Sequence, residues 1–202
     1  YSFINMNIHL ASNSETRGKL LKKAKIRFSQ IDHGVDEDEV KTSLQNQSPT
    51  KIAVKLSELK ATQPNPQNKE DLVIGSDQVL DLEGKLFNKA RDLTEAKSQL
   101  IELSGKKHHL ITSTVVAQNK NIIWRHLDKS TLVMRSLTTK EIDNYLNEVD
   151  ESILNLVGVY AIEQEGIKLF EQIDGDFFSI QGLSVTPLIN FLRQHSLILN
   201  NE

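Results

Sequence analysis

Short apolar runs typical of β-strands alternate along the chain with amphipathic stretches typical of helices, and this alternation is the strongest constraint on the fold. Helices are predicted at residues 15–25, 49–61, 93–103, 138–148 and 185–196. Strands are predicted at residues 6–11, 27–31, 72–84, 109–118, 121–134, 156–162 and 167–173, with a hairpin between the two longest. The pattern predicts an α/β fold.

The polar segments between these elements are predicted to be loops of one continuous domain. Residues 62–71 form a Pro-interrupted loop, residues 35–41 an acidic turn, and residues 173–183 a turn region marked by glycine. Composition does not change abruptly along the 202 residues. We therefore expect a single domain spanning residues 1–202 with two lobes, in which residues 1–6 form an extension before the first strand.

Composition narrows the classes of partner and of site chemistry. The net charge of −3 provides no basic surplus for nucleic-acid binding. Because cysteine is absent, disulfides, thiolate metal sites and cysteine nucleophiles are excluded, and the absence is consistent with a reducing compartment. No apolar run approaches the roughly 20 residues of a membrane span, and no secretory signal is recognised. We expect a soluble, cytoplasmic protein with neither nucleic acid nor membrane as its partner.

Common nucleotide and metal signatures are missing from the sequence. Neither the Walker pattern nor the G-x-G-x-x-G fingerprint occurs, and the six histidines form no H-E-x-x-H motif. His108 and His109 are neighbours in a predicted strand, so their side chains point to opposite faces and cannot share one ion. We interpret all six histidines as surface or packing residues, and Trp124 as a packing aromatic.

The stretch SNSETR at residues 12–17 allows two interpretations. Ser12 and Glu15 have the spacing of a capping box, which predicts a helix N-terminus. The free N–H groups and the dipole of that same helix, together with Arg17, also suit a phosphate. Taken alone, the stretch favours the cap.

Two further stretches place polar residues where strands are predicted to end, which is where open α/β sheets build their sites. Asp77 interrupts an apolar strand, where a carboxylate is costly unless it is solvated, paired or metal-bound. It marks either a turn at Gly75-Ser76 or a general base or metal ligand in a cleft. The acidic run at residues 36–39 is either a solvated loop or a source of oxygen ligands for a divalent ion.

Taken in order, these stretches resemble the Maf family of nucleotide pyrophosphatases over nearly the whole chain. The family begins with S-x-S-P-R-R and carries the signature G-A/S-D-T/Q-V, here Gly75 to Val79. The eight matching segments are residues 12–17 (SNSETR), 35–37 (VDE), 56–61 (LSELKA), 75–79 (GSDQV), 88–90 (NKA), 103–116 (LSGKKHHLITSTVV), 158–164 (GVYAIEQ) and 175–184 (GDFFSIQGLS).

The resemblance implies a fold, an activity and a set of site residues. The implied fold is an elongated mixed β-sheet flanked by helices, with two lobes around a central cleft, similar to inosine triphosphatase, and often dimeric. The implied activity is hydrolysis of nucleoside triphosphates to a monophosphate and pyrophosphate with Mg, Mn or Co. The implied roles are catalysis by Asp77, metal binding by Glu37 and Asp77, and substrate binding by Ser12, Arg17, Lys60, Lys89 and Glu163.

Four departures from the family pattern keep other functions open. Glu15, Thr16 and Ala90 replace Pro, Arg and Pro, and Glu163 replaces Gln. The S-D-Q signature resembles the branch that acts on 7-methylguanosine triphosphate and other modified nucleotides. One alternative is a regulatory protein that binds nucleotides without hydrolysing them, suggested by Glu15 and Thr16. The other is an enzyme of the inosine triphosphatase type.

Overall fold

The computed structural model describes residues 6–195. These residues form a seven-stranded mixed sheet flanked by helices, which confirms the predicted fold class. The strands are Ile8–Ala11 (β1), Ser29–Ile31 (β2), Leu72–Leu82 (β3), Lys85–Phe87 (β4), Lys107–Gln118 (β5), Asn121–Met134 (β6) and Phe170–Asp174 (β7). The helices are Glu15–Lys23 (α1), Glu37–Ser43 (α2), Pro49–Thr62 (α3), Leu93–Leu103 (α4), Thr139–Glu148 (α5), Phe177–Ile180 (α6) and Val185–Gln194 (α7), with 3₁₀ segments at Glu151–Asn155 and Glu165–Leu169.

The strand order is β2-β1-β3-β5-β6-β7, and β4 pairs with β3 beside this series. β1 runs parallel to β2 and β3, whereas the pairings of β3 with β4 and β5, of β5 with β6, and of β6 with β7 are antiparallel. The predicted hairpin between β5 and β6 is confirmed. Within residues 6–195 no helix is long and apolar enough to cross a membrane.

The apolar core divides into two large clusters that share β3. Ile74 belongs to the cluster formed with α1 and α7, and Leu80 belongs to the cluster formed with α4 and α5. Asp77 lies on β3 between these two positions, paired in register with Ser113 of β5. Asp77, the buried carboxylate of β3, therefore lies where the strand passes from one cluster to the other.

Helix α3 packs directly on β3 because position 75 has no side chain. A Cβ atom at Gly75 would lie 2.4 Å from the carbonyl oxygen of Ser57 and 2.5 Å from the backbone nitrogen of Ala61. No side chain fits at such distances, so glycine is required for this approach of helix to strand. The approach places Lys60, in the last turn of α3, beside Asp77.

Several predicted boundaries were wrong for local reasons. Residues 35–41 do not form a turn: Asp36 caps α2 by accepting from the Glu39 N–H at 2.9 Å. Residues 156–162 do not form a strand, because Gly158 and Val159 have φ values of 83° and 61°. β7 begins at Phe170, three residues later than predicted, and β4 was not predicted. Residue 196, predicted to end the last helix, lies outside the described residues.

Candidate active site

A cavity of about 530 Å³ has Asp77 of β3 in its wall. Helices α1, α2 and α3, strand β3 and the segments after β4 and before β7 all contribute to its walls. Every residue that the sequence proposed for the site lines this one cavity: Ser12, Arg17, Glu37, Lys60, Asp77, Lys89 and Glu163. The geometry therefore brings together groups that are separated by up to 151 positions in the chain, from residue 12 to residue 163.

A buried lysine between two carboxylates forms the centre of the site. The Lys60 side chain is only 3% exposed, and its Nζ lies 2.7 Å from Asp77 Oδ1 and 2.8 Å from Glu37 Oε1. These are charge-assisted contacts at short range. Because one ammonium faces two carboxylates, the cluster carries a net negative charge that can hold a further cation.

The electrostatics of Glu37 depend mainly on Lys60. Burial alone would raise the pKa of Glu37, but the adjacent Lys60 ammonium, with smaller contributions from Lys89 and Lys41, lowers it to about 2. Glu37 is therefore ionised throughout the physiological pH range. His33 Nε2 lies 3.6 Å from Glu37, and burial, followed by Lys60, lowers the pKa of that imidazole.

We expect the stability that Glu37 contributes to disappear in acid. Because its pKa falls from 4.5 to about 2 on folding, this contribution is complete above pH 4.5 and is lost as the pH falls toward 2, and it amounts to about 3 kcal/mol. The measurement is denaturant unfolding of the wild type and of Glu37→Gln at several pH values. The stability difference should stay constant above about pH 5 and shrink between about pH 5 and pH 2. A difference that stays constant over that range would contradict the assignment.

Arg17 and Lys89 differ from Lys60, because neither of them forms an ion pair within residues 6–195. Arg17 Nε donates to the carbonyl oxygen of Gly182 at 2.7 Å, and Nη1 donates to Ser12 Oγ at 3.2 Å. Burial lowers the pKa of both groups, while Asp77 and Glu37 oppose this for Arg17 and Glu37 opposes it for Lys89. Partly buried cations without a carboxylate partner are suited to bind an anion.

The N-terminus of α1 differs from the predicted capping box. Ser14, rather than Ser12, is the N-cap, because its hydroxyl accepts from the Arg17 N–H at 3.3 Å. Ser12 Oγ instead accepts from the Ser14 N–H and from Arg17, so it orients the guanidinium. Glu15 points outward and pairs with Lys19 at 2.7 Å. The cap and the candidate anion site therefore use different serines.

Asp77 does not lie at a strand end, as one interpretation required. β3 continues through Gly75 and Ser76 to Leu82, so the predicted turn is absent. Asp77 is 4% exposed, and its Oδ2 atom has no hydrogen-bond partner among residues 6–195. A buried carboxylate oxygen without a partner is costly, which favours a ligand or a reacting water at this atom.

The residues around Asp77 fit a divalent cation that a bound ligand helps to hold. Asp77 Oδ2 is free, and Glu37 offers a second carboxylate. No group of three or more His, Cys, Asp or Glu side chains able to hold a metal is found in the described part of the chain. Mg²⁺ commonly uses only one or two carboxylates, because water and phosphate oxygens complete its shell. The donors therefore fit Mg²⁺ bound together with a phosphate.

Sequence reasoning missed two members of the site. His33 was interpreted as a surface or packing residue, yet it lines the cavity and its Nδ1 accepts from the Val35 N–H at 3.0 Å. Its position two residues before the segment Val35-Asp36-Glu37 was the available signal. Gln78 was not proposed either, although it also lines the cavity. Its amide donates to Thr112 Oγ1 and to the carbonyls of Ser179 and Ile180.

A smaller recess opens from the cavity and shares several of its wall residues. Leu156, Val157 and Ile180 provide an apolar surface, and Thr16 and Glu163 are among the polar residues at its edge. The recess measures only about 20 Å³, which is room for about one water molecule, so a base would lie in the main cavity of about 530 Å³.

The fold and the site define a class of protein: an α/β protein whose central cleft is built to bind polyanions near a pair of carboxylates. Comparison with known proteins agrees with this class. The family model described as Maf-like protein matches residues 7–195. The chain belongs to the Maf-like protein family.

Relatives that cover nearly the whole chain have names that state an activity. The protein is 40% identical over 195 residues to the nucleoside triphosphate pyrophosphatase of Granulibacter bethesdensis, covering 96% of this chain and 99% of that protein. It is 42% identical over 189 residues to the 7-methyl-GTP pyrophosphatase of Bartonella henselae, covering 94% and 96%. The 7-methyl-GTP pyrophosphatase of Rhizobium meliloti is 39% identical over 187 residues, covering 92% and 94%.

Proposed function

We propose that this protein hydrolyses nucleoside triphosphates to nucleoside monophosphates and pyrophosphate. The observation that carries the proposal is the placement of Arg17 and Lys89, without ion pairs within residues 6–195, in the cavity that holds Lys60, Glu37 and Asp77. A triphosphate carries several negative charges, which would balance these cations. The names of the relatives in Granulibacter bethesdensis and Bartonella henselae support the same activity.

The proposed chemistry assigns separate tasks to the cations and to the carboxylates. Arg17 and Lys89 bind phosphate oxygens and stabilise the negative charge that develops on the leaving pyrophosphate. Asp77 Oδ2 orients the attacking water and accepts its proton, while Lys60 holds the other oxygen at 2.7 Å. Glu37 and Asp77 would hold a divalent cation such as Mg, Mn or Co, which would supply Lewis-acid activation of phosphate and water.

We propose 7-methylguanosine triphosphate as a favoured substrate. Methylation at N7 places a positive charge on the base, which a carboxylate at the base subsite complements. Glu163 lines the main cavity, at a position where the family often has Gln, and it forms no ion pair within residues 6–195. The relatives in Bartonella henselae and Rhizobium meliloti are named for this nucleotide.

A turnover screen tests both parts of the proposal. Pyrophosphate release is measured with 7-methyl-GTP, GTP, dTTP, UTP, ITP and XTP, with Mg²⁺ or Mn²⁺ and with chelator. We expect pyrophosphate release to require the metal and to be fastest with 7-methyl-GTP. In Glu163→Gln the preference for 7-methyl-GTP over GTP should be smaller, because the neutral amide no longer complements the charged base. Tight nucleotide binding without hydrolysis would favour the regulatory alternative. Strong preference for ITP or XTP would favour the inosine triphosphatase type.

We also propose a cellular location and an assembly state for this protein. The absence of cysteine supports the proposed cytoplasmic location, since thiol-free sequences need no oxidising compartment. A homodimer, with neither nucleic acid nor membrane as partner, is proposed from the family resemblance and from the lack of a basic surplus at a net charge of −3.

A further inference from the structure

Arg17 is oriented by a backbone carbonyl that belongs to the segment at residues 179–184. Its Nε donates to the carbonyl oxygen of Gly182 at 2.7 Å, and Ser76 Oγ donates to the same oxygen at 2.9 Å. Gly182 has a φ of 103°, and a Cβ atom there would lie 3.3 Å from Arg17 Nε. The direction of the guanidinium therefore depends on where the 179–184 segment holds this carbonyl.

One carboxylate outside the cavity ties both ends of the 179–184 segment together. Asp128 Oδ2, on β6, accepts from Ser179 Oγ at 2.5 Å and from Ser184 Oγ at 2.6 Å. The two hydroxyls also lie 3.2 Å from each other. Hydrogen bonds to an ionised carboxylate are stronger than neutral ones, so this junction is the strongest single constraint on the segment.

Neutral hydrogen bonds from β3 and β5 hold the same ends of the segment. Gln78 and Thr112 donate to the carbonyl of Ser179, and the Ser184 N–H donates to Thr114 Oγ1 at 3.3 Å. Asp128 does not line the cavity, whereas Gly182 and Arg17 do. Any effect of Asp128 on a bound nucleotide must therefore pass through the segment, whose Gly182 carbonyl accepts from Arg17.

We propose that Asp128 is a positioning residue of the pyrophosphatase reaction, which acts by fixing the Gly182 carbonyl and thereby the Arg17 guanidinium. This inference rests on the proposed function. When the two serine hydroxyls lose their shared acceptor, the ends of the segment separate and the carbonyl moves. A displacement of about 1 Å at a phosphate-binding group is sufficient to reduce turnover strongly.

The first experiment compares kinetics of Asp128→Ala and Asp128→Asn with the wild type. We expect kcat/KM to fall roughly 10-fold to 100-fold in Asp128→Ala, and most of the activity to return in Asp128→Asn, because the amide oxygen still accepts. Asp71→Ala is the matched control: it removes a buried carboxylate that binds Asn7 and His9 away from the cavity. The control should lower thermal stability without changing kcat/KM.

A double-mutant cycle separates positioning from general destabilisation. In the Arg17→Ala background, Asp128→Ala should cause a further loss of no more than about twofold, because its effect passes through Arg17. Ser184→Ala removes one of the two bonds to Asp128, serves as a milder variant if Asp128→Ala folds poorly, and should show the same coupling. Wild-type kinetics in Asp128→Ala, or an equal loss in the Arg17→Ala background, would overturn the proposal.

Failure of the proposed function would be recognised separately. If the wild type hydrolyses no nucleotide, the pyrophosphatase assignment falls, and calorimetric binding of inorganic tripolyphosphate then tests the positioning role. Asp128→Ala should bind this probe roughly 10-fold more weakly than the wild type, and the loss should again vanish in the Arg17→Ala background. Unchanged binding would overturn the role of Asp128 by itself.

Discussion

Replacing Asp77 by Asn is expected to reduce kcat roughly 1,000-fold, within the range that general acid–base catalysis contributes. The amide keeps the shape of the side chain but accepts protons poorly and loses the charge that favours a metal ion. Asp77 Oδ2 is a buried carboxylate oxygen without a hydrogen-bond partner in residues 6–195, so no neighbour there replaces its chemistry. The measurement is pyrophosphate release with saturating nucleotide and Mg²⁺.

The control for this prediction is Asp81→Asn, the same change four residues further along β3. Asp81 accepts from the Gly84 N–H at 2.7 Å in the turn to β4 and does not line the cavity. Its kcat should stay near the wild-type value. Because Lys60 still pairs with Glu37 in Asp77→Asn, that variant should fold. Turnover of Asp77→Asn within about threefold of the wild type would remove Asp77 from the catalytic assignment.

Replacing Lys60 by Met is expected to destabilise the protein by about 3–5 kcal/mol at neutral pH. Methionine fills much of the same volume, but Glu37 and Asp77 then face each other without the ammonium that joins them. Repulsion raises the pKa of one carboxyl above its unfolded value, so the lost stability should return as the pH falls through that raised pKa. Denaturant unfolding across pH measures the effect.

Two comparisons make the Lys60 prediction specific. Lys85→Met breaks an exposed pair with Glu102 at 2.7 Å and should cost less than about 1 kcal/mol. Addition of Mg²⁺ should raise the melting temperature of Lys60→Met more than that of the wild type, because the two unpaired carboxylates then bind the ion. An ion that binds only the native state stabilises the native state. Equal shifts in both proteins would argue against Glu37 and Asp77 as the metal ligands.

Local patterns in the sequence predicted most elements of the fold correctly. Apolar periodicity located α3, α4 and the β5–β6 hairpin, because it reports which face of an element is buried. The prediction failed at residues 156–162, where apolar composition resembled a strand but Gly158 and Val159 adopt positive φ. It also failed at the acidic run, because Asp36 caps a helix rather than extending a loop.

The candidate site was only partly visible in the sequence. Asp77 was conspicuous as a carboxylate inside an apolar strand, and this needed no knowledge of distant residues. His33 and Asp128 were not conspicuous, because their importance lies in contacts. Asp128 binds hydroxyls that are 51 and 56 positions away. The choice of Ser14 rather than Ser12 as the helix cap also depended on backbone geometry that the spacing did not specify.

The sequence by itself determined the α/β class, the buried carboxylate on the central strand and, through the order of its motifs, the family. Tertiary structure alone decided that Lys60 joins Glu37 and Asp77, that Arg17 and Lys89 stay free of carboxylates within residues 6–195, and that a distant loop orients Arg17. The physical reason is that periodicity records burial along one element, whereas ion pairing depends on how closely two elements approach. At Gly75 that approach requires the absence of a single Cβ atom.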